Sequence, residues 1–163
     1  MRYHNITKDD MLNGEGLRTV LWVAGCSHHC PQCHNPVTWD INGGLGFDEQ
    51  AKEELFEELK KDYVSGVTFS GGDPLHLENR EEIGALAKEI REKFPDKTIW
   101  LYTGYEWEEI CHLSFLSNID VIVDGKFKIE EKDNNLHWKG SANQRVIDVK
   151  ASLRAGEVRL YQE

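Results

Sequence analysis

The stretch LRTVLWVAGCSHHCPQCHN, Leu17 to Asn35, runs a β-branched and aromatic segment straight into a loop whose cysteines are spaced Cys-x-x-x-Cys-x-x-Cys. Leu17 to Val23 has the composition of a buried strand, and Gly25 marks its exit. Cys26, Cys30 and Cys33 are therefore placed just beyond the C-terminal end of that strand. In α/β barrels this is the end at which the functional loops gather.

Downstream, short apolar runs alternate with polar or glycine loops and amphipathic helix patterns, which predicts βα units. Phe47, Ala51, Leu55, Leu59 and Tyr63 recur at steps of four, with Asp48 as the predicted N-cap. A second strand is predicted over Gly66 to Ser70, then a helix from Asn79. There Asn79 and Glu82 fit a capping box, and Ile83, Leu86, Ala87, Ile90 and Phe94 form the buried stripe. TIWLYTG (Thr98 to Gly104) predicts a third strand, Glu106 to His112 a short helix, and IDVIVDG (Ile119 to Gly125) a fourth strand. The unbroken Val121, Ile122 and Val123 suit a parallel sheet covered by helices. The tail, QRVIDVKASLRAGEVRLYQE, predicts two further strands around Ala155 and Gly156.

Four such units in 163 residues fall short of the roughly 250 that a closed eight-fold barrel requires. The expected fold is thus a single α/β domain over 1–163, an open, incomplete TIM-like βα barrel. Its core spans about residues 13–148 and its tail 149–163. An open side invites a partner or a large substrate.

Composition narrows the function. Asp and Glu outnumber Lys and Arg by 29 to 19, and a formal charge of -10 repels a phosphate backbone, so nucleic acid is not an expected ligand. No apolar run approaches the ~18 residues of a membrane span, and MRYHNITKDDMLNGEG lacks the apolar core of a secretory signal. The expected location is the cytoplasm, where clustered cysteines are metal ligands or redox centres rather than disulfides.

The residues alone leave two metal chemistries open. Three thiolates on a four-iron cube leave one iron without a protein ligand, and an open metal position is where chemistry occurs. Alternatively, His28, His29 or His34 completes a Cys3His zinc site. The fourth cysteine, Cys111, lies between Ile110 and Leu113 and is expected to be a buried small hydrophobe. The remaining predicted strands also end in polar or glycine loops: FSGGDP (Phe69 to Pro74), YTGY (Tyr102 to Tyr105) and DGK (Asp124 to Lys126). Glycine pairs let backbone groups approach a ligand, and Asp73 adds a carboxylate. Trp100, Tyr102 and Trp107 are expected in the core, and Lys126 in solvent.

The cysteine spacing followed by Gly-Gly-acid resembles the radical S-adenosylmethionine enzymes. More narrowly, NGEGLRTVLWVAGCSHHCPQCHN, TFSGGDPLHLENREEI, IWLYTGY, VIVDGKF and WKGSANQRVID, in order from residue 13 to 148, resemble the anaerobic ribonucleoside-triphosphate reductase activating proteins. The resemblance implies that Cys26, Cys30 and Cys33 hold a [4Fe–4S] cluster whose fourth iron is chelated by S-adenosylmethionine. It also implies that Ser70, Gly71, Gly72 and Asp73 lie at the methionine end, and that Gln32, Cys33 and His34 offer backbone contacts near the adenine. Gln32 stands where many radical S-adenosylmethionine enzymes have an aromatic residue, which removes one stacking contact. The implied partners are the glycyl-radical subunit of anaerobic ribonucleoside-triphosphate reductase and an electron donor such as flavodoxin. No acid, base or nucleophile is expected to be catalytic, because cluster and cofactor carry the chemistry.

Overall fold

The computed structural model describes residues 1–28 and 39–162. Its strands and α-helices, in chain order, are β1 (Arg2–Asp10), β2 (Arg18–Val23), β3 (Leu45–Gly46), α1 (Glu49–Leu59), β4 (Gly66–Gly71), α2 (Arg80–Lys93), β5 (Thr98–Tyr102), α3 (Trp107–Ile110), β6 (Val121–Asp124), β7 (Arg145–Asp148) and α4 (Val149–Ala155), with short 3-10 turns at Ser114–Asn118 and Ile129–Glu131. Among the described residues the strands form one mixed sheet ordered β3-β1-β2-β4-β5-β6-β7. β2, β4, β5 and β6 run parallel, as the βα reading predicts, and β1, β3 and β7 are antiparallel additions. The sheet is open: β3 and β7 lie at opposite ends of it.

Period-two alternation divides the sheet into two unlike faces. Leu21, Val23, Val67, Phe69, Ile99, Leu101, Ile122 and Ile147 belong to the main core. Onto it pack Leu55 and Leu59 of α1, Ile83, Leu86 and Ile90 of α2, Trp107 of α3 and Val149 of α4. The intervening strand residues face the other way. There Trp100, Val121 and Val123 pack with Tyr102, Trp138, Val146 and Tyr161 in a separate aromatic cluster. Trp100 and Trp107 are in cores as expected, one on each face.

Arg18 lies on this second face, fully buried, and donates to five neutral oxygens: Thr68 Oγ1, Val67 O, Thr98 O, Thr98 Oγ1 and Glu15 O, all at 2.8–2.9 Å. Burial pulls its guanidinium down to about 10, against smaller opposing effects from Asp120 and nearby tyrosines. These bonds stitch the segment before β2 to β4 and β5, at the sheet end away from the cysteine loop.

Three local expectations are corrected. Asp48 does cap α1, accepting from Ala51 N at 2.9 Å. Asn79, however, occupies the N-cap position of α2 without a side-chain capping bond. Its amide donates instead to Ala24 O at 2.8 Å, a tertiary bond that wins over the local one. The two tail strands are not found as such. QRVID does give β7, but Asp148 caps Ala151 N and opens α4, and Gly156, at φ 70°, is the left-handed C-cap of that helix rather than a hairpin turn. The chain then returns beside β7 through Tyr161 N to Val146 O and Asp148 N to Arg159 O, both 2.9 Å. Finally, Cys111 is exposed, not buried, as the C-cap of the four-residue α3, because so short a helix leaves its end at the surface.

Candidate functional site

The registers Val23 with Gly71, Phe69 with Leu101 and Tyr102 with Val123 bring the ends of β2, β4, β5 and β6 to one rim. Gly71 is required there. Its φ is +109°, and a Cβ would stand 2.5 Å from both Val23 N and Val23 O. The backbones of the cysteine and glycine loops are consequently laced together. Gly72 N donates to Val23 O at 2.8 Å, Asp73 N to Gly25 O at 2.7 Å, and the Asn79 side chain to Ala24 O.

This lacing opens onto a cleft of ≈ 380 Å³ that is walled by Cys26, His28, Ser70, Gly71 and Gly72, within the ~300–1,000 Å³ usual for small-molecule sites. The sequence-predicted residues Cys26, Ser70, Gly71 and Gly72 are thus gathered on one wall. Cys30, Cys33, Gln32 and His34 lie outside the described residues. A hollow of ≈ 570 Å³ beside α4 and one of ≈ 850 Å³ near Arg154 and Lys97 are larger, yet neither is lined by a cysteine or by the glycine loop.

Asp73 is placed differently from its neighbours. Its carboxylate is buried and is not part of the cleft wall. Oδ1 accepts from Leu75 N at 2.9 Å; Oδ2 accepts from Thr103 Oγ1 at 3.0 Å, Gly104 N at 2.9 Å and His28 Nε2 at 2.6 Å. Among the described residues no group of three His, Cys, Asp or Glu is arranged to hold a metal ion.

The cleft is also lined by residues that sequence reasoning left unassigned as ligand contacts. Tyr102 and Trp138 line it, with Lys139 and Gln144 beside them. Tyr102 donates its hydroxyl to Trp138 O at 2.6 Å, and burial raises its pKa, with Asp10 adding to the rise. Trp138 holds φ at +67°, a costly conformation for an indole-bearing residue. Gln144 fixes the loop on both sides. Its Oε1 accepts from Gly140 N and Ser141 N at 2.9 and 3.1 Å, while Nε2 donates to Gly125 O at 3.0 Å. Lys139 Nζ donates to Gln144 O at 2.9 Å. The signal for these residues was present in WKGSANQ, but nothing local to that segment shows that it lines the same cleft as the end of β2. Lys126 is exposed as expected.

Among the described residues, the cleft offers a thiol, glycine backbone, aromatic side chains and the ammonium of Lys139. That set suits a small ligand that combines an aromatic ring with polar groups.

The family model for a 4Fe-4S single cluster domain matches residues 12–147. Over 146 residues the chain is 44% identical to the anaerobic ribonucleoside-triphosphate reductase-activating protein of Enterobacteria phage T4, covering 90% of this chain and 93% of that one. It is 41% identical over 150 residues to the protein of that name from Salmonella typhi and 40% identical over 150 to that from Escherichia coli K12. Each alignment spans 90% of this chain and 97% of the relative.

Proposed function

Because the chain belongs to the family of anaerobic ribonucleoside-triphosphate reductase-activating proteins, with their 4Fe-4S single cluster domain, we propose that it is a radical S-adenosylmethionine enzyme that activates such a reductase. Cys26, Cys30 and Cys33 would hold the [4Fe–4S] cluster, and the iron left without a protein ligand would be the place for S-adenosylmethionine. Supporting this reading, Cys26 lines the cleft together with Ser70, Gly71 and Gly72, and the absence of a Cβ at Gly71 lets the glycine loop lie directly against the Val23 backbone. When bound, the cluster and S-adenosylmethionine would supply the one-electron reductive chemistry by which a glycine of the reductase would be activated.

The chain's own part is binding, orientation and shelter. Ser70, Gly71 and Gly72 face the methionine end. Trp138 and Tyr102 offer the aromatic faces that Gln32 does not, and Lys139 is the ammonium available to a carboxylate. Gln32, Cys33 and His34 lend backbone groups near the adenine. The mixed sheet is taken as a partial TIM-like barrel in which β1, β3 and β7 replace missing βα units. The whole of 1–163 acts as one domain. The reading also supplies a flavodoxin-like electron donor and a cytoplasmic setting; no helix among the described residues is long and apolar enough to cross a membrane.

The observation that carries this reading is the pairing of Cys26 with the glycine floor of one cleft, laced at Gly25 O and Asp73 N. Its test is anaerobic purification and reconstitution, followed by spin resonance of the reduced protein with and without S-adenosylmethionine. A four-iron signal perturbed by the cofactor, and lost in Cys26→Ala, Cys30→Ala and Cys33→Ala, supports it. A colourless protein holding one zinc overturns it. A glycyl-radical doublet formed on pyruvate formate-lyase and not on the reductase would keep the chemistry and replace the partner.

A further inference from the structure

His28 occupies a singular place. It follows Cys26 by two residues and lines the cleft, yet its side chain is only 7% exposed, because the ring is packed on three sides. Its edge meets the Tyr105 ring at 4.7 Å and 77°, and a Cβ on Gly104 would collide with the imidazole. Its Nε2 lies 2.6 Å from Asp73 Oδ2. Since that oxygen already accepts from Thr103 Oγ1 and Gly104 N, His28 is assigned as the donor.

One buried carboxylate therefore collects donors from three rim loops. Leu75 belongs to the glycine loop, Thr103 and Gly104 to the loop after β5, and His28 to the cysteine loop. Asp73 itself follows the glycine pair, and its backbone N–H is bonded to Gly25, immediately before Cys26. Both ends of the link are thereby tied, by main chain at Gly25 and by side chain at His28. A longer glutamate at 73 would add a methylene to a site that is 1% exposed, so the short acid fits the packing.

We infer that His28 is a positioning residue. Through Asp73 it sets the separation between the cysteine loop and the Gly71-Gly72 floor, and so the register between cluster and S-adenosylmethionine. This rests on the activase reading above. Hydrogen-bonded partners that orient a metal site commonly change affinity or activity by about 10–100-fold when removed. His28→Ala should leave three thiolates, normal iron content and an unchanged cofactor-free spin-resonance signal. It should also raise the S-adenosylmethionine concentration that half-perturbs that signal by about 10–100-fold. His28→Gln, whose amide can donate to the same oxygen, should recover most of the loss.

Hydrogen exchange on the full chain gives a second readout, independent of the cofactor: the Gly104 amide should exchange about tenfold faster in His28→Ala and near the parental rate in His28→Gln, as expected when a shared acceptor is loosened. Parental cofactor affinity and parental Gly104 exchange in His28→Ala would overturn the inference. So would a changed signal in that variant without cofactor, which would make His28 an iron ligand. If the parental protein itself carries no cofactor-responsive cluster, the activase reading fails, and Gly104 exchange still decides the His28–Asp73 link.

Discussion

Arg145 Nη2 lies 2.6 Å from Asp124 Oδ2, and the Asp124 side chain is 1% exposed. Asp124 also accepts from Trp107 N at 2.8 Å, and Arg145 reaches on to Glu108 at 3.0 Å. One guanidinium thus joins β6, β7 and α3. Removing it leaves a buried carboxylate without its cation. Arg145→Met should lower stability by about 2–4 kcal/mol, read from the urea midpoint at constant slope.

That cluster and a separate one, Glu89 with Lys52 and Lys93, set an acid limb. Hydrogen bonding to Arg145 holds Glu108 below its ordinary 4.5. Burial pushes Glu89 up, but Lys93 and Lys52 outweigh it, so that group is also lowered. A depressed folded pKa gives stability that is present above the unfolded value and lost as pH falls through the folded one. The urea midpoint should therefore decline below about pH 4.5. In Arg145→Met that decline should be shallower, because Glu108 then titrates alike in both states. An unaltered acid limb would remove Arg145 as its cause.

Two glycines separate backbone need from mere tolerance. Gly71→Ala places a methyl 2.5 Å from the Val23 backbone at a positive φ, and should cost more than about 3 kcal/mol or prevent folding. Gly46→Ala meets nothing within 4 Å and should stay within about 0.5 kcal/mol of the parent. Urea titration and circular dichroism of the pair would check both.

Tyr161 donates its hydroxyl to Glu15, and burial together with that bond pushes its pKa up to about 12. A raised folded pKa contributes stability that is complete below the unfolded value near 10 and lost as pH climbs through the folded one. Alkaline destabilisation between pH 10 and 12 should be weaker in Tyr161→Phe than in the parent. Equal alkaline slopes would exclude Tyr161 as the titrating group.

Cys111 should be expendable. Its exposed thiol makes only a long contact, 3.9 Å to Glu108 O, so Cys111→Ser should change stability by less than about 0.5 kcal/mol and leave iron content unaltered.

These residues also show how far sequence carries. The parallel strands were readable because Ile99 to Leu101 and Val121 to Val123 are buried on both faces and so form apolar runs, and Val67 to Phe69 is β-branched and aromatic throughout. β1 was not, since within RYHNITKDD only Ile6 is buried and the strand exists through pairing with β2. The α4 region misled because Ala155-Gly156 fits either a hairpin turn or a helix end, and Asp148 as an N-cap decided between them. At the site, Cys26 and Gly71 were legible from their positions after strands. Trp138 and Lys139 were not, because they arrive on an irregular excursion from 125 to 144 whose course is fixed by distant bonds to Tyr102 and Gly125. Asn79 and Asp73 were legible as residues but not in their roles. Each looked local, and each holds another loop.

The sheet's two borders carry a last consequence. One border is the two-residue β3, and the other is β7, bounded by the returning tail at Leu160 and Tyr161. β3 pairs only with Arg2 and Tyr3, so it leaves the rest of β1 as an outer edge, and that edge carries Lys8, Asp9 and Asp10 and breaks register between Thr7 and Asp10. Charge and irregular register on an outer strand are devices that discourage indiscriminate self-association through edge pairing.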